Sequence, residues 1–245
     1  MMRKLLLSFV MLAAVAAVHA ADFKYQWHHT IYGKTRSGNT PISVIKTTDG
    51  NYVAFNAFGS NTLTGTKLYF DGEPLKDAEG KEIEGCPYKG TNANTGNDNL
   101  LLQKMNPETG KVIWTVYSDK GYLYNNKSVY PTADGGLVFV GDVRNLADKT
   151  ETTLLRMVGA DGQKTEVNYT PAGNGRTSVE GVIAKIDKDG KVAWAKLIAT
   201  TTHPTIKGKT YGEYDIYYKG LAVDSKGNIY VCGNYMSAVT FVKRD

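Results

Sequence analysis

Hydrophobic residues along this chain come in short bursts separated by turn-forming clusters. Ile42–Thr47, Tyr52–Ala57, Leu100–Met105 and Val112–Tyr117 are each apolar or alternating, and Ser128–Pro131, Leu137–Gly141, Val182–Ile186 and Val192–Leu197 repeat the series. Asp-Gly, Asn-containing and Pro-containing stretches bound them, which predicts strands joined by tight turns. Gly110 and Gly190 sit where a hairpin needs a positive φ, a conformation open to glycine at no steric cost. No segment between these strands carries a helical period, and the longest apolar stretch is at the N-terminus. The pattern predicts an all-β chain.

The bursts recur as a long repeat. Lys104-Met-Asn-Pro-Glu-Thr-Gly-Lys-Val-Ile-Trp114 is echoed by Lys185-Ile-Asp-Lys-Asp-Gly-Lys-Val-Ala-Trp194. Thr48-Asp-Gly-Asn-Tyr-Val-Ala-Phe55 is echoed by Ala133-Asp-Gly-Gly-Leu-Val-Phe-Val140 and by Asp224-Ser-Lys-Gly-Asn-Ile-Tyr-Val231. Trp27, Trp114 and Trp194 are spaced 87 and 80 residues apart. Four antiparallel strands per unit make the blade of a β-propeller. The period exceeds the roughly 40–50 residues of ordinary blades, and an extra hairpin in each unit accounts for the excess. These hairpins are Lys67–Gly72 with Gly80–Ile83, and Leu154–Gly159 with Gly162–Val167. The units run over about residues 28–114, 115–194 and an incomplete 195–245, within one propeller-like domain spanning 21–245.

Asn106-Pro-Glu-Thr-Gly-Lys-Val-Ile-Trp114 resembles the Trp-docking motif of quinoprotein-like propeller repeats. The Asp-Gly-Gly strand followed by the Lys-Ile-Asp strand is similar to bacterial exported propeller-repeat proteins. The likeness covers most of residues 22–245 and implies that Trp114 and Trp194 pack between neighbouring blades. The second copy departs from the motif in lacking a Thr before Gly190.

Two blades and part of a third do not close a propeller, which takes about four to eight. Val242-Lys-Arg-Asp245 aligns with Lys185-Ile-Asp187, and Tyr25-Gln-Trp27 begins the chain as a Trp-bearing strand. Unpaired edges invite aggregation, which favours a partial propeller, the front of a longer protein. The alternatives are strand exchange between copies, completing a six-bladed homodimer, and a bent arrangement of three sheets.

The N-terminus carries a targeting segment. Arg3 and Lys4 precede an apolar run from Leu5 to Val18, and Val18-His-Ala20 supplies a cleavage site after Ala20. Fourteen residues are too short for a membrane span of about 20, so residues 1–20 read as a signal peptide with no membrane span left after cleavage. The chain is therefore expected to be exported, to periplasm, cell surface or medium. Cys86 and Cys232 could pair in such a compartment, but Cys232 also reads as a small core residue of a strand. Both readings stay open.

The formal charge of +5 falls to +3 once Arg3 and Lys4 are removed. With no dense basic block, nothing marks a nucleic-acid partner. His28, His29 and His203 lack zinc-site spacing, and Gly-Lys-Thr at 33–35 and 208–210 lacks the first glycine of a phosphate loop. Asp187-Lys-Asp189-Gly190 begins like a calcium loop but lacks its later ligands and reads as a hairpin turn. The run Asp71, Glu73, Asp77, Glu79, Glu82 and Glu84, interleaved with Lys76 and Lys81, reads as a solvated hairpin. No catalytic residue, metal ligand or cofactor site is assigned.

Tyrosines offer the best candidate surface. Tyr122, Tyr124 and Asn125, near Tyr117, Tyr130 and Asn126, form one group, and Tyr211, Tyr214 and Tyr217, near Tyr218, form another. An apolar ring with a polar tip suits a glycan or protein partner, and aromatic filler between sheets is the competing reading. The functional expectation is an exported, non-enzymatic binding or scaffolding protein of the bacterial envelope or surface. The alternative is the N-terminal part of a propeller enzyme, glycan-active or a quinone-dependent dehydrogenase, whose catalytic residues lie elsewhere.

Overall fold

The structure, a computed structural model, describes residues 27–33, 38–59, 68–83, 99–144, 152–168, 179–200, 205–206, 209–210, 216–235 and 239–240. The signal segment, Cys86, His203, Tyr211, Tyr214 and Val242–Asp245 lie outside them. All regular structure among the described residues is β. In order the strands are β1 (Ile31–Gly33), β2 (Gly38–Lys46), β3 (Tyr52–Gly59), β4 (Leu68–Phe70), β5 (Glu73–Pro74), β6 (Asn99–Met105), β7 (Val112–Lys120), β8 (Tyr122–Pro131) and β9 (Leu137–Arg144). Then come β10 (Thr153–Val158), β11 (Lys164–Asn168), β12 (Val179–Ile186), β13 (Val192–Thr200), β14 (Thr205–Ile206), β15 (Lys209–Thr210), β16 (Ile216–Val223), β17 (Ile229–Tyr235) and β18 (Val239–Thr240).

Two four-stranded meanders, β2-β3-β6-β7 and β8-β9-β12-β13, are the blades anticipated from the repeat, and β16-β17 is the start of a third. Their tight turns follow local chemistry. In the β6–β7 turn the Asn106 side-chain oxygen accepts the backbone N–H groups of Glu108 and Thr109, both at 2.9 Å. In the β12–β13 turn the Asp187 carboxylate accepts those of Asp189 and Lys191, also at 2.9 Å. Gly110 (φ 70°) and Gly190 (φ 84°) then take the left-handed step that returns the chain.

The inserted hairpins are placed differently from their position in the sequence. The β10–β11 hairpin, which belongs to the second unit, pairs with the outer strand of the first, with Met157 opposite Ser118 and Val158 opposite Tyr117. In the same way β4–β5 adds to β1, with Ile31 opposite Phe70, and β18 adds to β13, with Ala199 opposite Thr240. Each unit thus widens the sheet before it. The strand edge left by β7 is unpaired backbone, and a neighbouring hairpin satisfies it more cheaply than water and an exposed edge would.

Apolar layers hold these sheets together. Val53, Phe55, Leu100, Leu102 and Val116 of the first blade meet Leu137, Phe139, Val182 and Ala184 of the second, all buried. Phe55 and Phe139 pack edge to face at 5.8 Å, the geometry the ring quadrupoles prefer. On its other face the first blade carries Leu101 and Tyr117, which pack with Leu68, Ile83 and Val158. β6 is buried from Asn99 to Met105 because both its faces are covered. A third layer joins Val140 and Ile198 to Tyr218 of β16.

Candidate binding cleft between the inserted hairpins

Two kinds of residue recur with the blades, and they have to be separated from any ligand site. The first is tryptophan. Trp27 donates its indole N–H to the Pro107 carbonyl at 2.8 Å, and Trp114 donates to the Lys188 carbonyl at 2.9 Å. In each case the ring lies against the turn glycine of the next unit. A Cβ built on Gly110 would come within 2.7 Å of Trp27, and one on Gly190 within 2.8 Å of Trp114. Trp194, in the equivalent place on β13, is half-buried.

The second is a lysine on the strand before each Trp. Lys104, 1% exposed, reaches the Asp49 carboxylate at 2.6 Å and the Gly135 and Lys188 carbonyls of the next blade at 3.1 and 3.2 Å. Lys185 reaches the Asp134 carboxylate at 2.7 Å and the Thr132 hydroxyl. Partial burial works to raise the pKa of both carboxyls, but hydrogen bonds from the lysine and the neighbouring threonine override it. Asp49 is held well below the usual carboxylate range and Asp134 is lowered to about 2. Their repetition with the blades marks these ion pairs as architecture.

His29 belongs to the same architecture. Its Nδ1 lies 2.5 Å from the Asp71 carboxylate and its Nε2 2.6 Å from the Gly110 carbonyl. Asp71 also accepts the Thr30 N–H at 2.8 Å. The ring packs beside Trp27 and Phe70, so it ties β1 and β4 to the β6–β7 turn.

A site of another kind lies where the first two inserts face each other. A cleft of about 570 Å³ is lined by Asp77, Glu79, Lys81, Glu82 and Ile83 of the first insert, by Tyr117 and Asp119 of β7, and by Arg156, Val158, Gly162 and Lys164 of the second insert. That volume is in the range of small-molecule and peptide-anchor sites. The pairing of β10 with β7 creates it, because it carries the second insert across to the side of the first.

The walls differ. On the second insert Arg156 donates to Asp119 at 2.6 Å and approaches Glu166 at 3.5 Å, while Lys164 lies 3.4 Å from Asp119. Its charges are thus largely matched among themselves, and the bond to Asp119 leads the causes that raise the pKa of Arg156. On the first insert Asp77 caps its own turn by accepting the Lys81 N–H at 2.7 Å. Glu79 lies over Gly162, close enough that a Cβ there would collide with its carboxylate. The floor is Tyr117, 9% exposed, with Ile83 and Val158 beside it. Burial, and then the carboxylates of Asp77, Asp119 and Glu79, push the Tyr117 hydroxyl up to about 12.

The repeat has a counterpart among known proteins. Residues 194–234, from Trp194 through most of β17, match the family described as beta-propeller repeat. The fold is all-β, of propeller-like blades. No curated protein and no solved structure matches the chain. The matched segment runs from the outer Trp strand β13 into β16 and β17, across the boundary between the second and third units.

Of the tyrosines singled out in the sequence, those among the described residues lie on strands of successive units. Tyr117 is on the outer strand of one β-propeller repeat, whereas Tyr122, Tyr124 and Asn125 lie on β8, the inner strand of the next. Only Gly121 separates these strands, so the stretch is strand rather than connection. Tyr130 is at the far end of β8 and is exposed, at 37%. Tyr217 lies on β16 opposite Asn234, and Tyr218 is buried against Gly181. Cys232 is a free, exposed thiol on β17 rather than a packed core residue. Of the acidic run, Asp77, Glu79 and Glu82 line the cleft and Asp71 anchors His29. The cleft was not legible beforehand because its second wall, Arg156 to Lys164, lies more than 70 residues beyond the first, Asp77 to Ile83.

Proposed function

We propose that this chain is an exported, non-enzymatic binding module built from β-propeller repeats, and that the cleft between its inserted hairpins seats the ligand or partner. One observation carries the reading. Hairpins from two successive units, absent from the basic four-stranded meander, are brought to one place and enclose a cleft with a buried tyrosine floor and charged walls. Hairpins that served only to lengthen loops would have no cause to converge. Export is supported by the basic, apolar and small-residue order of residues 1–20, with the periplasm, cell surface or medium as destination. Tyr122, Tyr124, Asn125, Tyr211, Tyr214 and Tyr217 make up a second candidate surface for a glycan or protein, supported by their chemistry alone.

The test is to probe glycan and peptide arrays with the wild-type protein and with Lys164→Trp, which fills the cleft from an exposed position on β11. The expected result is a small set of retained ligands, lost in Lys164→Trp. Ligands that bind regardless of Lys164→Trp but disappear in Tyr124→Ala or Tyr214→Ala would move the site to the tyrosine surface. Chemical turnover of a retained ligand would overturn the non-enzymatic reading.

A further inference from the structure

We infer that the cleft recognises an organic cation, the ammonium or guanidinium group of a basic side chain carried on an extended segment of a partner protein. The inference rests on the reading of the cleft as the binding site and specifies its ligand.

Three observations converge on a cation. First, the cleft is electronegative within a basic chain. The formal charge of the whole protein is +5, yet the cleft lining holds Asp77, Glu79, Glu82 and Asp119 against Lys81, Arg156 and Lys164. Arg156 and Lys164 are engaged by Asp119, which leaves Asp77, Glu79 and Glu82 against Lys81 on the first insert. The negative field is therefore local to the first insert, and concave, low-dielectric walls concentrate such a field.

Second, Tyr117 presents a hydroxyl to the cleft. The residue is about nine-tenths buried and lines the cleft floor. Asp77, Asp119 and Glu79, whose carboxylates raise the pKa of this hydroxyl, line the same cleft. A phenolic oxygen placed at the floor can accept a ligand N–H.

Third, the shape excludes a small hard ion. Among the described residues no three acidic, histidine or cysteine side chains converge as metal ligands do. A metal ion needs oxygens at about 2.0–2.6 Å, whereas an alkylammonium or guanidinium spreads its hydrogen bonds over a wider arc. Its methylene stem also has apolar surface to lie on, supplied by Ile83, Val158 and the Tyr117 ring. The cleft is larger than one side chain requires, which accommodates flanking residues of an extended segment.

Fluorescence anisotropy with a fluorescein-labelled tetra-lysine peptide, compared with tetra-glutamine and tetra-glutamate, tests this on the full mature chain. Tetra-lysine should bind more tightly than either comparison peptide and weaken as salt rises, as contacts between exposed charges do. Glu79→Gln should weaken it about fivefold, the scale of one partly exposed charge contact. Tyr117→Phe should weaken it by a similar factor, and Asp224→Asn, at the distant β16–β17 turn, should leave it unchanged. Equal binding of tetra-lysine and tetra-glutamine, or no response to Glu79→Gln, would overturn the cation. If array ligands are nonetheless lost in Lys164→Trp, the cleft survives as a binding site for neutral ligands. If no array ligand depends on that substitution, the binding reading of the cleft falls as well.

Discussion

Replacing Lys104 by Met tests whether a buried ammonium ties the first two blades together. Methionine keeps the length and most of the apolar stem, so the cavity term is small, and the change isolates the charge. Three contacts are lost, to Asp49 at 2.6 Å, Gly135 O at 3.1 Å and Lys188 O at 3.2 Å. They are not equal. Lys188 O retains a donor in the Trp114 indole, and Asp49 retains the Thr47 hydroxyl at 2.6 Å and is 38% exposed, so water can partly replace the lysine. Removing one member of a buried pair costs about 3–5 kcal/mol, and the partial exposure of Asp49 places this case near 3 kcal/mol. Lys185→Met is the internal control. Lys185 is 14% exposed and its partner Asp134 is 61% exposed, so solvent screens that pair and its loss should cost about 1 kcal/mol or less. Urea unfolding followed by tryptophan fluorescence reads both, because Trp114 sits between the blades. A loss below about 0.5 kcal/mol in Lys104→Met, the scale of an ordinary surface change, or equal losses in the two variants, would refute the idea that the buried pair holds the blades.

Two further outcomes follow from the turns and the carboxylates. Gly227→Ala places a Cβ at φ 81° with open space around it and should cost only the left-handed penalty of about 1–2 kcal/mol. Gly190→Ala, at φ 84°, must also displace Trp114 and Ala160, both 2.8 Å from the new Cβ, and should cost a further 1–3 kcal/mol or so; equal losses in urea would mean that Trp114 does not seat on the glycine. Stability should also fall on acidification. Asp134 titrates near 2 in the folded chain against 3.8 ordinarily. A depressed carboxyl contributes in full above its unfolded pKa and is lost as pH falls through the folded one. The urea midpoint should therefore drop between about pH 4 and pH 2, and Asp134→Asn should flatten part of that drop. An unchanged slope would show that the Lys185 pair contributes nothing.

Much of the fold could be read from residue order. The eight strands of the two blades lie within a few residues of the apolar bursts that predict them, and β8 differs most, reaching back to Tyr122 where the pattern begins at Ser128. The Tyr122–Asn126 stretch is too polar to read as strand from alternation alone; Tyr122 and Leu123 pair with Arg144 and Val143 of β9, and the register shifts before pairing resumes at Lys127. The ion pairs had a visible signal, since Lys104 and Lys185, like Asp49 and Asp134, recur at matching places in the repeat. That Lys104 would bury its ammonium between blades was not visible, because lysine on a strand ordinarily faces water.

What the sequence determines by itself is the local part: period-two alternation, glycines at turns that need positive φ, and the recurrence of Trp, all of which act over a few residues. What only the tertiary structure decides is which edge each inserted hairpin joins. Strand edges are generic, a row of N–H and C=O groups with no preference written in the side chains at hand. The choice of β7 for β10 is therefore made by what the packed blades leave open and by the apolar cover that Leu101, Tyr117 and Val158 supply together. That one long-range pairing sets Arg156 and Lys164 across from Asp77 and Glu79, and so makes the cleft.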